Sequence, residues 1–134
     1  MHRIKERASA TLHLPFTPVS VTLARHQLNS WMRELDGSRE SIEDARVVIS
    51  ELVANAVRHA RPLSDGSLLV SWALNDDGLQ VSVTDGGSPT RPRALEPSSS
   101  ALSGRGMAMV GVLSRSWWTE RSDARSTVHA LIDL

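Results

Sequence analysis

Apolar residues along this chain follow two rhythms, and the switches between them mark its elements. Residues 8–15, ASATLHLP, alternate weakly and stop at Pro15, which predicts an edge strand. In VSVTLARHQLNSWMRELDG, Val21, Leu28, Met32 and Leu35 recur near helical spacing, with Ser20 as the expected N-cap and Gly37 as the stop. A second helix is expected from about Ser41 to His59. Glu43 and Asp44 stand in its first turn and Arg58, His59 and Arg61 at its end, each where the helix dipole favours that sign, and Pro62 closes it. SLLVSWALN (67–75) and GLQVSVTD (78–85) are rich in β-formers, and the NDDG turn between them makes a hairpin. A long Gly-, Pro- and Ser-rich stretch follows, then a helix over 106–115 and two strands around a turn at Ser122–Ala124. The order β-α-α-β-β-loop-α-β-β predicts an α+β, two-layer sandwich with helices packed on one face of a mainly antiparallel mixed sheet. It reads as a single domain over 1–134, with residues 1–8 expected to fray.

Composition narrows the function classes. The chain has no cysteine, which excludes disulfides, thiolate nucleophiles and cysteine metal sites and fits a cytoplasmic setting. Fifteen basic residues balance fifteen acidic ones, so no global field draws in nucleic acid or an acidic membrane. MHRIKERASA lacks the apolar core of a signal peptide, and no apolar run approaches the roughly 20 residues that span a bilayer.

Chemistry concentrates in three segments. ELVANAVRHA (51–60) sets Glu51, Asn55 and His59 one helical turn apart beside Leu52, Val53, Ala56 and Val57. On a helical wheel, Ile42, Ala45, Ile49, Leu52, Val53, Ala56 and Ala60 form the core face, while Glu51, Asn55 and Arg58 gather opposite and Asn55 and His59 lean toward the apolar edge. One reading is a solvated polar face. The other is a cavity wall, where an amide oxygen ligates Mg²⁺ and a carboxylate accepts a proton or orients water. VTDGGSP (83–89) is either a tight turn or a strand-end acid that accepts a hydrogen bond from an exocyclic amine, with glycines that let a flat ring approach. SGRGMAMVG (103–111) is either a plain loop or a helix start whose free N–H groups, with Arg105, attract phosphate. The P-loop and Rossmann spacings are both absent.

Taken in order, Glu-x-x-x-Asn on a helix, Asp-x-Gly after a strand, a long loop and Gly-x-Gly at a helix resemble the Bergerat-type ATP-binding fold of gyrase, heat-shock chaperones, histidine kinases and MutL. ELVANAVRHA looks like its N-box, DGG its first glycine box and GRGMAMV its second. The compact size and the wording of the boxes resemble most the bacterial anti-sigma factors that are serine kinases, over roughly residues 9–134. The resemblance implies that Asn55 holds Mg²⁺ against the ATP phosphates and that Glu51 is the general base. It implies that Asp85 binds the adenine amine with Gly87 close to the ring, and that Gly104, Arg105, Gly106 and Met107 contact the phosphates from the lid side, residues 88–103 being the ATP lid loop. Thr127 would be the adenine-side threonine. His59 either faces phosphate or complements the helix C-terminus.

Two departures stand out: Ser88-Pro89 follow the first glycine box where another glycine is usual, and Arg125-Ser126 precede Thr127 where glycine is frequent. The resemblance implies an ATP- and Mg²⁺-dependent serine/threonine protein kinase. It would sequester a sigma factor, phosphorylate a small anti-anti-sigma antagonist and form a homodimer, without touching DNA or membrane. The alternative is a non-catalytic, nucleotide-gated binding module.

Overall fold

The computed structural model describes residues 6–35, 37–87 and 101–134, apart from the side chains of 6–7 and 101–106. The elements run β1 (Glu6–Pro15), α1 (Val19–Glu34), α2 (Arg39–His59), β2 (Ser67–Asn75), β3 (Gly78–Asp85), α3 (Ala101–Leu113), β4 (Ser116–Ser122) and β5 (Arg125–Ile132). The five strands form one sheet in the order β1-β2-β3-β5-β4, and every pairing is antiparallel. The expected edge position of the first strand holds. The sheet contains no parallel pair among the described residues, so "mixed" gives way to antiparallel throughout.

Period-two alternation decides which residues reach the core. Leu68, Val70 and Trp72 of β2 are buried, as are Val81 and Val83 of β3 and Val128, Ala130 and Ile132 of β5. They face the helices. From the other layer come Ala24, Leu28 and Met32 of α1 and Ala45, Val48, Ile49, Leu52, Val53 and Ala56 of α2, at helical spacing. Trp31 meets Trp72 edge-on, with ring centroids 6.0 Å apart. The opposite face of the sheet carries small polar groups. There His129 ties β5 to its neighbours, with Nδ1 2.7 Å from Ser82 Oγ and Nε2 against the Glu120 carboxylate.

Several element ends differ from expectation. Ser20 does not cap the first helix: α1 opens after Pro18, and Ser20 lies buried in its first turn, donating its hydroxyl to the Pro15 carbonyl. The second helix starts at Arg39, with Ser38 as N-cap accepting from the Ser41 amide at 3.1 Å. Gly37 serves as the expected stop of α1, its amide donating to Met32 O at 2.8 Å.

Helix α3 begins at Ala101, five residues before the expected start. Gly104, Arg105 and Gly106 therefore lie within the helix. The amides left free at its start are those of 101–104 and not those of 105–106. Of the segment read as a lid, 101–103 belong to α3, and 88–100 lie outside the described residues.

Candidate nucleotide site

Asp85 is the last residue of β3, opposite Ser126 of β5. Strand alternation turns it to the helix side with Val81 and Val83, and it is 6% exposed. Its Oδ1 accepts the Gly87 amide at 2.8 Å. Burial pushes the carboxyl above its ordinary range, while the Gly87 amide and the charge of Arg121 pull it part of the way back. A buried acid with one oxygen engaged keeps acceptor capacity for a donor such as an exocyclic amine.

The two glycines after Asp85 do different work. A Cβ on Gly86 would stand 2.0 Å from Pro62 O, so this position admits only glycine without backbone movement. Gly86 donates to Arg61 O at 2.7 Å, and Arg61 donates to Gly87 O at 2.9 Å. These two bonds bind the strand end to the segment leaving α2. Gly87 has φ +94°, in the left-handed region that favours glycine, and among the described residues a Cβ there would meet Ala124 alone, its O at 3.6 Å and its C at 4.0 Å. Among the described residues the turn is thus pressed against protein at Gly86 and in ordinary contact at Gly87.

Helix α2, which carries Glu51 and Asn55, packs on β3 and ends at His59, two residues before Arg61. Glu51 and Asn55 are half-buried, one turn or about 6 Å apart along the axis, at the margin of the Leu52–Ala56 core face. The wheel placed them opposite the core with Arg58. Only Arg58 is exposed; the acid and the amide sit at the core's border. Among the described residues neither head is held in a hydrogen bond or ion pair, whereas Arg58 and His59 are engaged. No three His, Asp or Glu side chains converge as a metal cage among the described residues. The free Asn55 amide oxygen does fit Mg²⁺, which keeps waters and takes its remaining oxygens from substrate phosphates.

Two expected contacts are placed elsewhere. Met107 is 1% exposed and packs in the hydrophobic core, so its side chain is turned away from any phosphate. Thr127 pairs with Thr84, their hydroxyls 2.8 Å apart, on the sheet face away from the helices. Its neighbour Ser126, 7% exposed, shares the face of Asp85. Strand parity could have shown this, because Val128, Ala130 and Ile132 set the inward positions of β5 at even numbers.

An acidic strand end, a glycine turn and an acid–amide helix, stapled together in a two-layer α+β domain, define a nucleotide-binding class. A model of the histidine kinase-like ATPase domain matches residues 14–131, and the chain belongs to that family; ATP is accordingly the ligand for which the site is read. Serine-protein kinase RsbW of Listeria monocytogenes is 37% identical over 92 residues, which is 65% of this chain and 59% of that protein. RsbW of Oceanobacillus iheyensis is 31% identical over 77 residues, 57% of this chain and 49% of its own length. The chain thus spans about half to three-fifths of these curated relatives. The solved RsbU and RsbW domains of a Mycobacterium tuberculosis protein superpose with a TM-score of 0.73 at 26% identity, covering 96% of this chain and 33% of that one. The SiaB–SiaC complex of Pseudomonas aeruginosa shares the fold, with a TM-score of 0.70 at 16% identity over 92% of this chain and 88% of that one.

Proposed function

We propose that this chain is an ATP-dependent serine/threonine protein kinase of the anti-sigma type. It would bind a sigma factor and phosphorylate a small anti-anti-sigma protein, acting in the cytoplasm as a homodimer. The observation that carries the reading is the joint at Arg61, where a buried acid at a strand end is stapled to the helix bearing Glu51 and Asn55. Likeness to proteins named serine-protein kinase supports the reaction class.

In this reading Asp85 accepts the adenine amine, Gly87 leaves room for the ring, and Ser126 takes the adenine-side place first given to Thr127. Asn55 would hold Mg²⁺ through its amide oxygen, and the ion would supply charge neutralisation at the phosphates. Glu51 receives the proton of the substrate serine hydroxyl as that oxygen takes the terminal phosphoryl and ADP departs. Gly104, Arg105 and Gly106 approach the phosphates from α3, with residues 88–103 as the lid. The other reading, a nucleotide-gated module without catalysis, is favoured by α3 itself, which already uses the amides of 105–106 within the helix.

Phosphate transfer from labelled ATP to the co-purified antagonist separates the two. Wild type should transfer. Glu51→Ala should keep nucleotide binding and lose roughly 10²–10⁴-fold in rate. Asn55→Ala should lose both. A wild type that binds Mg-ATP and its partner yet transfers nothing overturns the kinase and leaves the gated module.

A further inference from the structure

Two clefts lie at the far end of the sheet from Asp85. Leu79 and Asp85 stand six positions apart along β3, roughly 20 Å of strand. Near Leu79, the end of α1 and the start of α2 frame two adjoining clefts that meet at Gly37. One, of about 430 Å³, is lined by Arg33, Arg39 and Arg46, with Asn29 and Glu43 between them. The other, of about 280 Å³, is walled by Trp31, Leu35, Leu74, Leu79 and Leu134.

The charges in the first cleft are poorly satisfied by the protein itself. Among the described residues Arg33 and Arg39 have no ion partner, and Arg46 has only Glu43, at 3.8 Å and largely exposed. Arg39 is moreover the first residue of α2, where the helix dipole disfavours a cation. The acids Glu40 and Asp44 do not line the cleft. Local choices that conflict with helix electrostatics are expected at functional or strained sites. Beside it Leu35, the C-cap of α1, stands 44% exposed at the wall of the apolar cleft.

We propose that this composite surface docks an acidic peptide segment of a partner protein, with carboxylates on Arg33 and Arg39 and one bulky apolar side chain in the neighbouring pocket. Arginine is suited to this because its planar fork binds carboxylates two bonds at a time. The pocket holds a side chain or two and is open to solvent, which fits an anchor residue of a peptide better than an engulfed small molecule. The surface is separate from the nucleotide joint, so its test needs no nucleotide.

The probe is a fluorescein-labelled peptide, Asp-Glu-Phe-Glu-Asp, titrated with the whole chain and read by anisotropy. Binding should weaken at least about tenfold in the double variant Arg33→Glu, Arg39→Glu, and by a similar factor when the peptide's Phe becomes Ala. It should also fall as salt rises from 50 to 500 mM. A Lys-Lys-Phe-Lys-Lys peptide should not bind. Circular dichroism melting confirms that the variants, altered only at exposed positions, remain folded; Leu35→Asp, also exposed, tests the apolar half separately. No binding by wild type, or equal binding by the double variant, overturns the proposal. So does indifference to Phe, which leaves only diffuse charge. Displacement of the peptide by decanoate, with tighter binding of decanoate itself, also overturns it and assigns the surface to a small amphiphile.

Discussion

Asp85 shows most clearly how a residue suited to a ligand is costly to the fold. Its carboxyl is buried, and burial raises its pKa against the partial relief of one amide and Arg121. A folded-state pKa above the unfolded one means that the native protein binds the proton more tightly. The associated stability is fully present below the unfolded value, near 3.9, and is lost as pH rises through the folded value. At neutral pH the ionised acid is therefore a net burden. Asp85→Asn removes that burden. We expect this variant to show a flatter decline of stability between pH 4 and 7 and a melting temperature at pH 7 no lower than wild type, measured by circular dichroism. The same change should abolish nucleotide binding in calorimetry, because an amide turned to its Gly87 contact no longer offers a carboxylate to the adenine amine. Loss of stability together with loss of binding would instead make Asp85 a structural acid. Gly86 and Gly87 carry the complementary lesson: one glycine is set by contact with Pro62, the other by backbone conformation.

Among the elements, β5 and α3 define the site's limits. Strand β5 presents Ser126 to the helix side and Thr127 to the far side, so the two neighbours should behave oppositely. Ser126→Ala should weaken ATP binding in calorimetry by about five- to tenfold, the effect of one hydrogen bond in a partly buried site. Thr127→Val should leave affinity unchanged and cost about 1 kcal/mol in urea unfolding through loss of the Thr84 bond. The reverse pattern would restore Thr127 to the site and contradict the strand's parity. Helix α3 is apolar on more than one side. Met107 and Val110 enter the core, while Met109 and Val112 remain exposed. That lack of a one-sided stripe is why pattern alone sets its start too late: the glycines at 104 and 106 read as a loop before the helix, yet the helix runs through both.

For the molecule as a whole, the hydrogen bonds of Arg61 to Gly86 and Gly87 join the helical layer to the strand end. A ligand spanning both should stabilise the entire fold. At one hundred times its Kd, Mg-ATP should add about 2.7 kcal/mol, a rise in Tm of roughly 10 °C for a chain of this size. Glu51→Ala should keep the rise and Asn55→Ala should lose most of it. An equal rise for ATP with EDTA would remove Mg²⁺ from the site while leaving the nucleotide in place. Among the described residues no helix is long and apolar enough to cross a membrane.

Local chemistry was legible along the chain. The hairpin at NDDG, the bases Arg58 and His59 at the end of α2 and the order of the elements all follow from neighbours a few residues apart; Glu43 and Asp44 do not stand in the first turn as expected, because α2 starts at Arg39 and Glu40 is its first-turn acid. Composition and spacing were enough to bring Glu51, Asn55, Asp85 and Gly87 forward as candidates. Contacts between distant segments were not legible, because no local pattern encodes them. The pressure of Pro62 on Gly86, the burial of Met107 and the side of the sheet on which Thr127 stands depend on how layers pack. So does the meeting of Arg33 with Arg39 and Arg46 across two helices. Propensity and period act over a turn or a strand, whereas burial and electrostatic fields are set by groups far apart in sequence and close in space.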